Sequence, residues 1–126
     1  MNTLSASFTI EVNGTPIAKV GPDAEDRTHA TIGPDAAVFT LKDGRLQSGD
    51  WILGRPMRED RSLGPKAVRW FRARDGDHKL VNPVTAHEDG HSYKIEISAP
   101  GLMIQEDKVF VDLLGNDLAD VVVKIF

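Results

Sequence analysis

The stretch Val38-Phe-Thr-Leu-Lys-Asp-Gly-Arg-Leu-Gln-Ser-Gly-Asp-Trp-Ile-Leu-Gly-Arg55 constrains the fold most, because it sets strand, turn, strand, turn and strand in one short run. Val38-Phe-Thr-Leu41 is β-branched and aromatic, Lys42-Asp43-Gly44 supplies the positive φ that closes a hairpin, and Arg45-Leu46-Gln47 restarts the alternation. Ser48-Gly49-Asp50 turns the chain again. Trp51-Ile52-Leu53 is then a short apolar run, expected to be buried and ended by Gly54 and Pro56. A Trp held between such turns is expected to anchor the core, burying roughly 150–250 Å². The alternative is that Trp51 lines a ligand cavity or an exposed binding face.

The same grammar extends along the chain. Ala6 to Val20 reads as a hairpin turned at Asn13-Gly14, with Phe8, Ile10 and Val12 alternating against Ser7, Thr9 and Glu11. Asn13-Gly14-Thr15 is formally also a glycosylation sequon, for which the tight turn is the better reading. Thr28 to Ile32, Ala67 to Arg74, Lys79 to Val84, Ser92 to Ile97, Lys108 to Leu114 and Asp120 to Phe126 are further strands, with Pro83 demoting its own to an edge or bulge. Only Pro100 to Gln105 and Asn116 to Asp120 have room for short helical turns. Turn signals recur roughly every ten residues, the spacing of a sandwich or barrel. The expected fold is therefore all-β: one antiparallel barrel or sandwich of about eight to ten short strands spanning residues 1–126, with little or no helix.

A chain of 126 residues can bury a core without staples, and the absence of cysteine removes disulfides, thiol nucleophiles and thiolate metal sites. The net charge of −4 argues against general nucleic-acid binding, which needs a basic surface to displace counterions. No apolar run is long enough to span a membrane. Met1 to Ser7 has neither the basic nor the apolar region of a signal peptide, so localisation stays open between secreted and cytoplasmic.

Chemistry-bearing constellations are few. His87-Glu88-Asp89-Gly90-His91 is dense in potential metal ligands, but a turn between two strands does not put both histidines on one face, and a third ligand is lacking. A polar hairpin loop explains the same residues, so neither a metal nor another cofactor is expected. No Gly-x-Ser-x-Gly elbow and no phosphate-cradling glycine loop is present, and no catalytic residue is assigned. Lys66, Arg69, Arg72 and Arg74 interleave with Trp70 and Phe71, but Arg69 and Arg72 have opposite parity and leave the strand on different faces.

Phe39-Thr-Leu-Lys-Asp-Gly-Arg-Leu46, Gly49-Asp50-Trp51, Glu59-Asp60-Arg61-Ser62 and Ala67-Val-Arg-Trp-Phe71 resemble small fungal proteins of uncharacterised function, some secreted or associated with the cell surface. The resemblance spans the middle half of the chain. It implies a compact barrel or sandwich acting by surface contact, in interaction with a host, and it brings no catalytic residues.

The expected function is a non-enzymatic binding or interaction protein that self-associates as a homodimer through its strongly apolar strands, Val121-Val-Val123 among them. Its contact loop would be Arg55 to Lys66, with Arg55, Arg58, Glu59, Asp60 and Arg61 facing a partner. The alternative is a small barrel that binds or transforms an apolar molecule in its interior, lined by Trp51, Trp70, Arg72, Tyr93 and Phe110.

Overall fold

Asn13 and Gly14 take φ of 52° and 84°, the left-handed pair that matches the twist of strands joined by a two-residue turn. The structure, a computed structural model, describes residues 3–21, 23–57, 64–73, 81–89, 92–97, 101–115 and 117–125. The Asn13-Gly14 turn joins β1 (Leu4–Val12) to β2 (Thr15–Pro16), and Asn13 Oδ1 accepts the Asp120 N–H at 2.9 Å. Its side chain thus ties the turn to the segment entering the last strand. After β3 (Thr28–His29), the stretch Val38 to Arg55 folds as expected from its turns. Asp43 and Gly44, at 52° and 79°, turn β4 (Phe39–Lys42) into β5 (Arg45–Ser48), and Gly49-Asp50 leads on to β6 (Trp51–Gly54), buried along its whole length.

The remaining strands are β7 (Lys66–Ala67), β8 (Arg69–Arg72), β9 (Thr85–Asp89), β10 (Ser92–Glu96), β11 (Gly101–Gln105), β12 (Lys108–Asp112) and β13 (Val121–Ile125). One antiparallel sheet runs β13-β1-β4-β5-β6-β8-β3, with β2 also on β1; β10-β9 and β11-β12-β7 form two smaller sheets. Among the described residues the protein is all-β, without helix, and its sheets are not closed on themselves, which fits a sandwich-like arrangement.

The large sheet and the three-stranded sheet meet at a ring of backbone bonds. Ala30 N–H donates to Val68 O at 2.9 Å, Val68 N–H to Val109 O at 3.1 Å, and Val109 N–H to Ala30 O at 2.9 Å. All three residues are fully buried, so the ring satisfies polar groups that would otherwise be orphaned. Val68 is the link between β7 and β8, which lets one chain segment serve both sheets.

Alternation decides what fills the interior. Phe8, Ile10 and Val12 of β1, Phe39 and Leu41 of β4, Leu46 of β5, Trp51 and Leu53 of β6, and Trp70 of β8 converge on one contiguous core. The Trp70 ring stacks on Phe39 at 5.8 Å and 5° between planes, and Phe39 meets Phe8 at 6.2 Å. Buried aromatic rings of this size carry a large share of the apolar area removed from water.

Three expectations change. The segment 101–105, read as a possible helical turn, is strand β11, because Glu106 and Asp107 take left-handed φ of 51° and 63° and close a two-residue hairpin without glycine. Residues 117–120 likewise contain no helical turn. The strand expected over Lys79 to Val84 begins instead at Thr85: Val81 makes an isolated bridge to Pro56 and 81–83 crosses the outside of the sheet before Val84 enters the main core, while Lys79 and Leu80 lie outside the described residues.

Candidate functional site

Cross-strand register fixes which side chains share the outer face of the large sheet. Leu41, Leu46, Leu53 and Trp70 lie in one row facing the core, so their neighbours Thr40, Gln47, Ile52 and Phe71, paired in the same order, face away from it. Lys42 and Arg45 are directly opposite each other on that outer face, flanking the Asp43-Gly44 turn.

Part of this outer face is apolar and covered. Ile52, Phe71 and Val81 form a buried cluster separated from the main core by the sheet itself. The segment 81–83 is held over it by three bonds, the last at the point where the chain leaves for the main core: Asn82 N–H donates to Arg55 O at 2.8 Å, Asn82 Nδ2 to Pro56 O at 3.1 Å, and Val84 N–H to Gly44 O at 2.8 Å. Gly54 makes the approach possible, since a Cβ there would collide with Val81 Cγ1.

Between this strap and the β4–β5 turn lies an open cleft of about 380 Å³. Its apolar lining is Ile52, Leu53, Met57, Val81 and Pro83; Asp43, Gly44, Arg45 and Asn82 supply the polar rim. Met57 is 56% exposed, so its flexible thioether side chain is accessible at the edge of the cleft. A second, polar cleft of about 350 Å³ adjoins the first, lined by Thr40, Lys42, Asp43, Arg45 and Gln47. Asp43 and Arg45 belong to both, so the two form one surface with an apolar end and a basic end. Among the described residues neither Lys42 nor Arg45 is paired with a carboxylate.

No protein-family model, curated protein or solved structure matches this chain. Function has therefore to be read from its own geometry.

The residues singled out from sequence are dispersed. Trp51 and Trp70 are both buried in the core and contribute to neither cleft. Arg72 does face inward, as its parity with Trp51 requires, and its guanidinium lies 4.5 Å from the Trp51 ring centroid. There it donates to Ala24 O at 2.8 Å, while its backbone N–H donates to Asp26 Oδ1 at 3.0 Å. Arg69 is on the opposite face, donating to Arg27 O at 3.0 Å, which matches the parity reading; Arg74 lies outside the described residues.

Phe110 is half-buried away from the main core, edge-on to His29 at 4.7 Å. Tyr93 is also half-buried and lines a separate cleft of about 200 Å³ with Leu102, Leu118 and Val121. Of the expected contact loop, Arg55 is described and its carbonyl holds Asn82; Arg58, Glu59, Asp60 and Arg61 lie outside the described residues. His87 lies on β9, 3.3 Å from Glu96 Oε2, and His91 lies outside the described residues. No group of three His, Asp or Glu side chains is placed to hold a metal among the described residues. No helix there is long and apolar enough to cross a membrane.

Away from the cleft, one buried carboxylate serves the fold. Asp112 is buried, and its Oδ1 and Oδ2 accept the N–H groups of Gly115 at 3.0 Å and Asp117 at 2.7 Å, bracing the loop after β12. Lys42, Arg45, Ile52, Met57, Val81 and Pro83 are not among the site residues expected from sequence. Alternation about the Asp43-Gly44 turn was the signal that puts Lys42 opposite Arg45. The long-range return of 81–83 over β6 left no such signal.

Proposed function

We propose that the protein is a non-enzymatic binding protein whose working surface is the outer face of the large sheet at the β4–β5 turn. The observation that supports this is the open cleft over Ile52, with Met57 exposed at its edge and the strap 81–83 as one wall. Its volume is in the range of small-molecule sites, which are mostly apolar with a few placed polar groups. The tryptophans give the interior-ligand alternative no comparable support, since both fill the core. The test is a titration with 1-naphthol, followed by methyl resonances. Shifts confined to Met57, Ile52 and Val81, with Ile10 and Leu46 of the core unmoved, are the expected result. Shifts spread through the core methyls, or none at all, would sink the reading.

Self-association into a homodimer is a second reading, favoured by the exposed side chains of Leu114, Leu118, Val122 and Ile125 within the C-terminal segment. Apolar side chains exposed near one sheet edge gain by burial against a second copy, although Val122 and Ile125 leave β13 on opposite faces. Light scattering at micromolar concentration should give twice the chain mass, and Val122→Lys should shift it toward the monomer. A monomeric mass for the unaltered chain would refute dimerisation.

A further inference from the structure

Lys42 and Arg45 break a local rule. Like charges directly opposite on one face of an antiparallel pair repel, and these two flank a two-residue turn, where the strands are held in fixed register. Asp43 sits between them in sequence, yet neither cation has an ion-pair partner among the described residues. Departures from a consistent local pattern concentrate where a site has been built. The polar groups beside them, Thr40 and Gln47, add a hydroxyl and an amide to the same small depression.

We propose that this pair binds the head group of a small amphipathic anion whose apolar body occupies the adjoining cleft. The inference rests on the cleft reading above and adds the ligand class: a free molecule carrying one carboxylate, sulfonate or similar anionic group on an aromatic or short aliphatic body. Charge complementarity selects the head. A single anion between two cations relieves their repulsion and accepts charge-assisted hydrogen bonds from both, with the planar Arg45 fork able to engage two oxygens at once. Continuity selects the body, because Arg45 lines both depressions, and a ligand held by its head at Lys42 and Arg45 is directed toward Ile52, Met57 and Pro83. Asp43 lies on the border and disfavours a second negative charge, which limits the ligand to one anionic group.

The experiment compares 1-naphthalenesulfonate with 1-naphthol, probes that share a ring system and differ in the charged group, on the full chain by calorimetry and methyl resonances. The sulfonate is expected to bind one per chain, about tenfold more tightly than the naphthol, and to weaken as salt rises. Lys42→Gln with Arg45→Gln should remove that preference, while the charge-conserving Lys42→Arg should keep it. Equal affinity for the two probes, or a preference unchanged in the double variant, would overturn the anion inference and leave the cleft reading standing. No shift at Met57 or Ile52 with 1-naphthol would overturn both. Binding to anionic lipid vesicles without binding of the free sulfonate would also overturn it, assigning the cations to a membrane surface.

Discussion

The Arg72 guanidinium lies 4.5 Å from the Trp51 ring centroid, on the inward face of β8, where it also donates to the Ala24 carbonyl. A cation above an indole is worth about 0.5–2 kcal/mol depending on its desolvation, and the hydrogen bond adds about 1 kcal/mol. Arg72→Met keeps an apolar stem over the ring and removes both. It should lower the unfolding free energy by about 1–2 kcal/mol and alter tryptophan emission, as read from denaturant unfolding. An unchanged midpoint would mean that the contact adds nothing beyond its stem.

Gly54 and Val81 set the depth of the strap. Gly54→Ala should cost about 1–3 kcal/mol, because the added methyl must push Val81 off the sheet and Val81 is β-branched, with little rotamer freedom to yield. Val81→Ala makes room, so the double variant should be more stable than the sum of the two single losses. A double-mutant cycle by chemical denaturation measures this coupling, and strict additivity would show that the two sites do not touch.

The turn after β11 carries avoidable strain. Glu106 and Asp107 both have left-handed φ, a conformation costing L residues roughly 1 kcal/mol or more each, and both side chains are exposed. Replacing them as Glu106→Asn with Asp107→Gly installs the pair that such turns favour and should raise stability by about 1 kcal/mol. A rise in thermal midpoint checks it; a fall would indicate that the acidic side chains contribute something that their exposure hides.

That same turn shows where sequence reading succeeded and where it failed. Asn13-Gly14 and Asp43-Gly44 were legible because glycine marks a positive φ, and from them followed β1, β4 and β5 and the inward row of Phe8, Phe39, Leu41 and Leu46. Glu106-Asp107 carries no such mark, so β11 was hidden although Leu102 and Ile104 alternate with Met103. Parity also gave the opposite faces of Arg69 and Arg72 correctly. It could not say which parity faces inward, which is why cavity lining stays open as the alternative to core packing for Trp51 and Trp70. The candidate site was half legible for the same reason: the Lys42 and Arg45 pairing is local, whereas Val81 reaches Ile52 only through a return whose register no short-range pattern encodes.

His29 makes stability depend on pH. Its Nε2 donates to the Val109 carbonyl at 2.7 Å beside the sheet junction, with the Phe110 ring edge-on to it and Arg69 and Lys108 as the neighbouring charges. Burial disfavours the imidazolium most; the bond to Val109 opposes that in part, and Arg69 and Lys108 add to the burial effect, so the folded pKa lies below 6.5. The unfolded chain therefore takes up a proton at His29 before the folded one does. The sign follows: this contribution is complete above the unfolded value of 6.5, is lost as pH falls from there toward the folded pKa, and changes no further below it. The slope from this one group cannot exceed about 1.4 kcal/mol per pH unit. His29→Gln keeps an N–H donor without the titration. Denaturant midpoints taken between pH 8 and pH 5 should fall more steeply for the unaltered protein than for the variant, the difference isolating His29 from every other titrating group. Parallel curves, or a steeper fall in the variant, would refute the assignment.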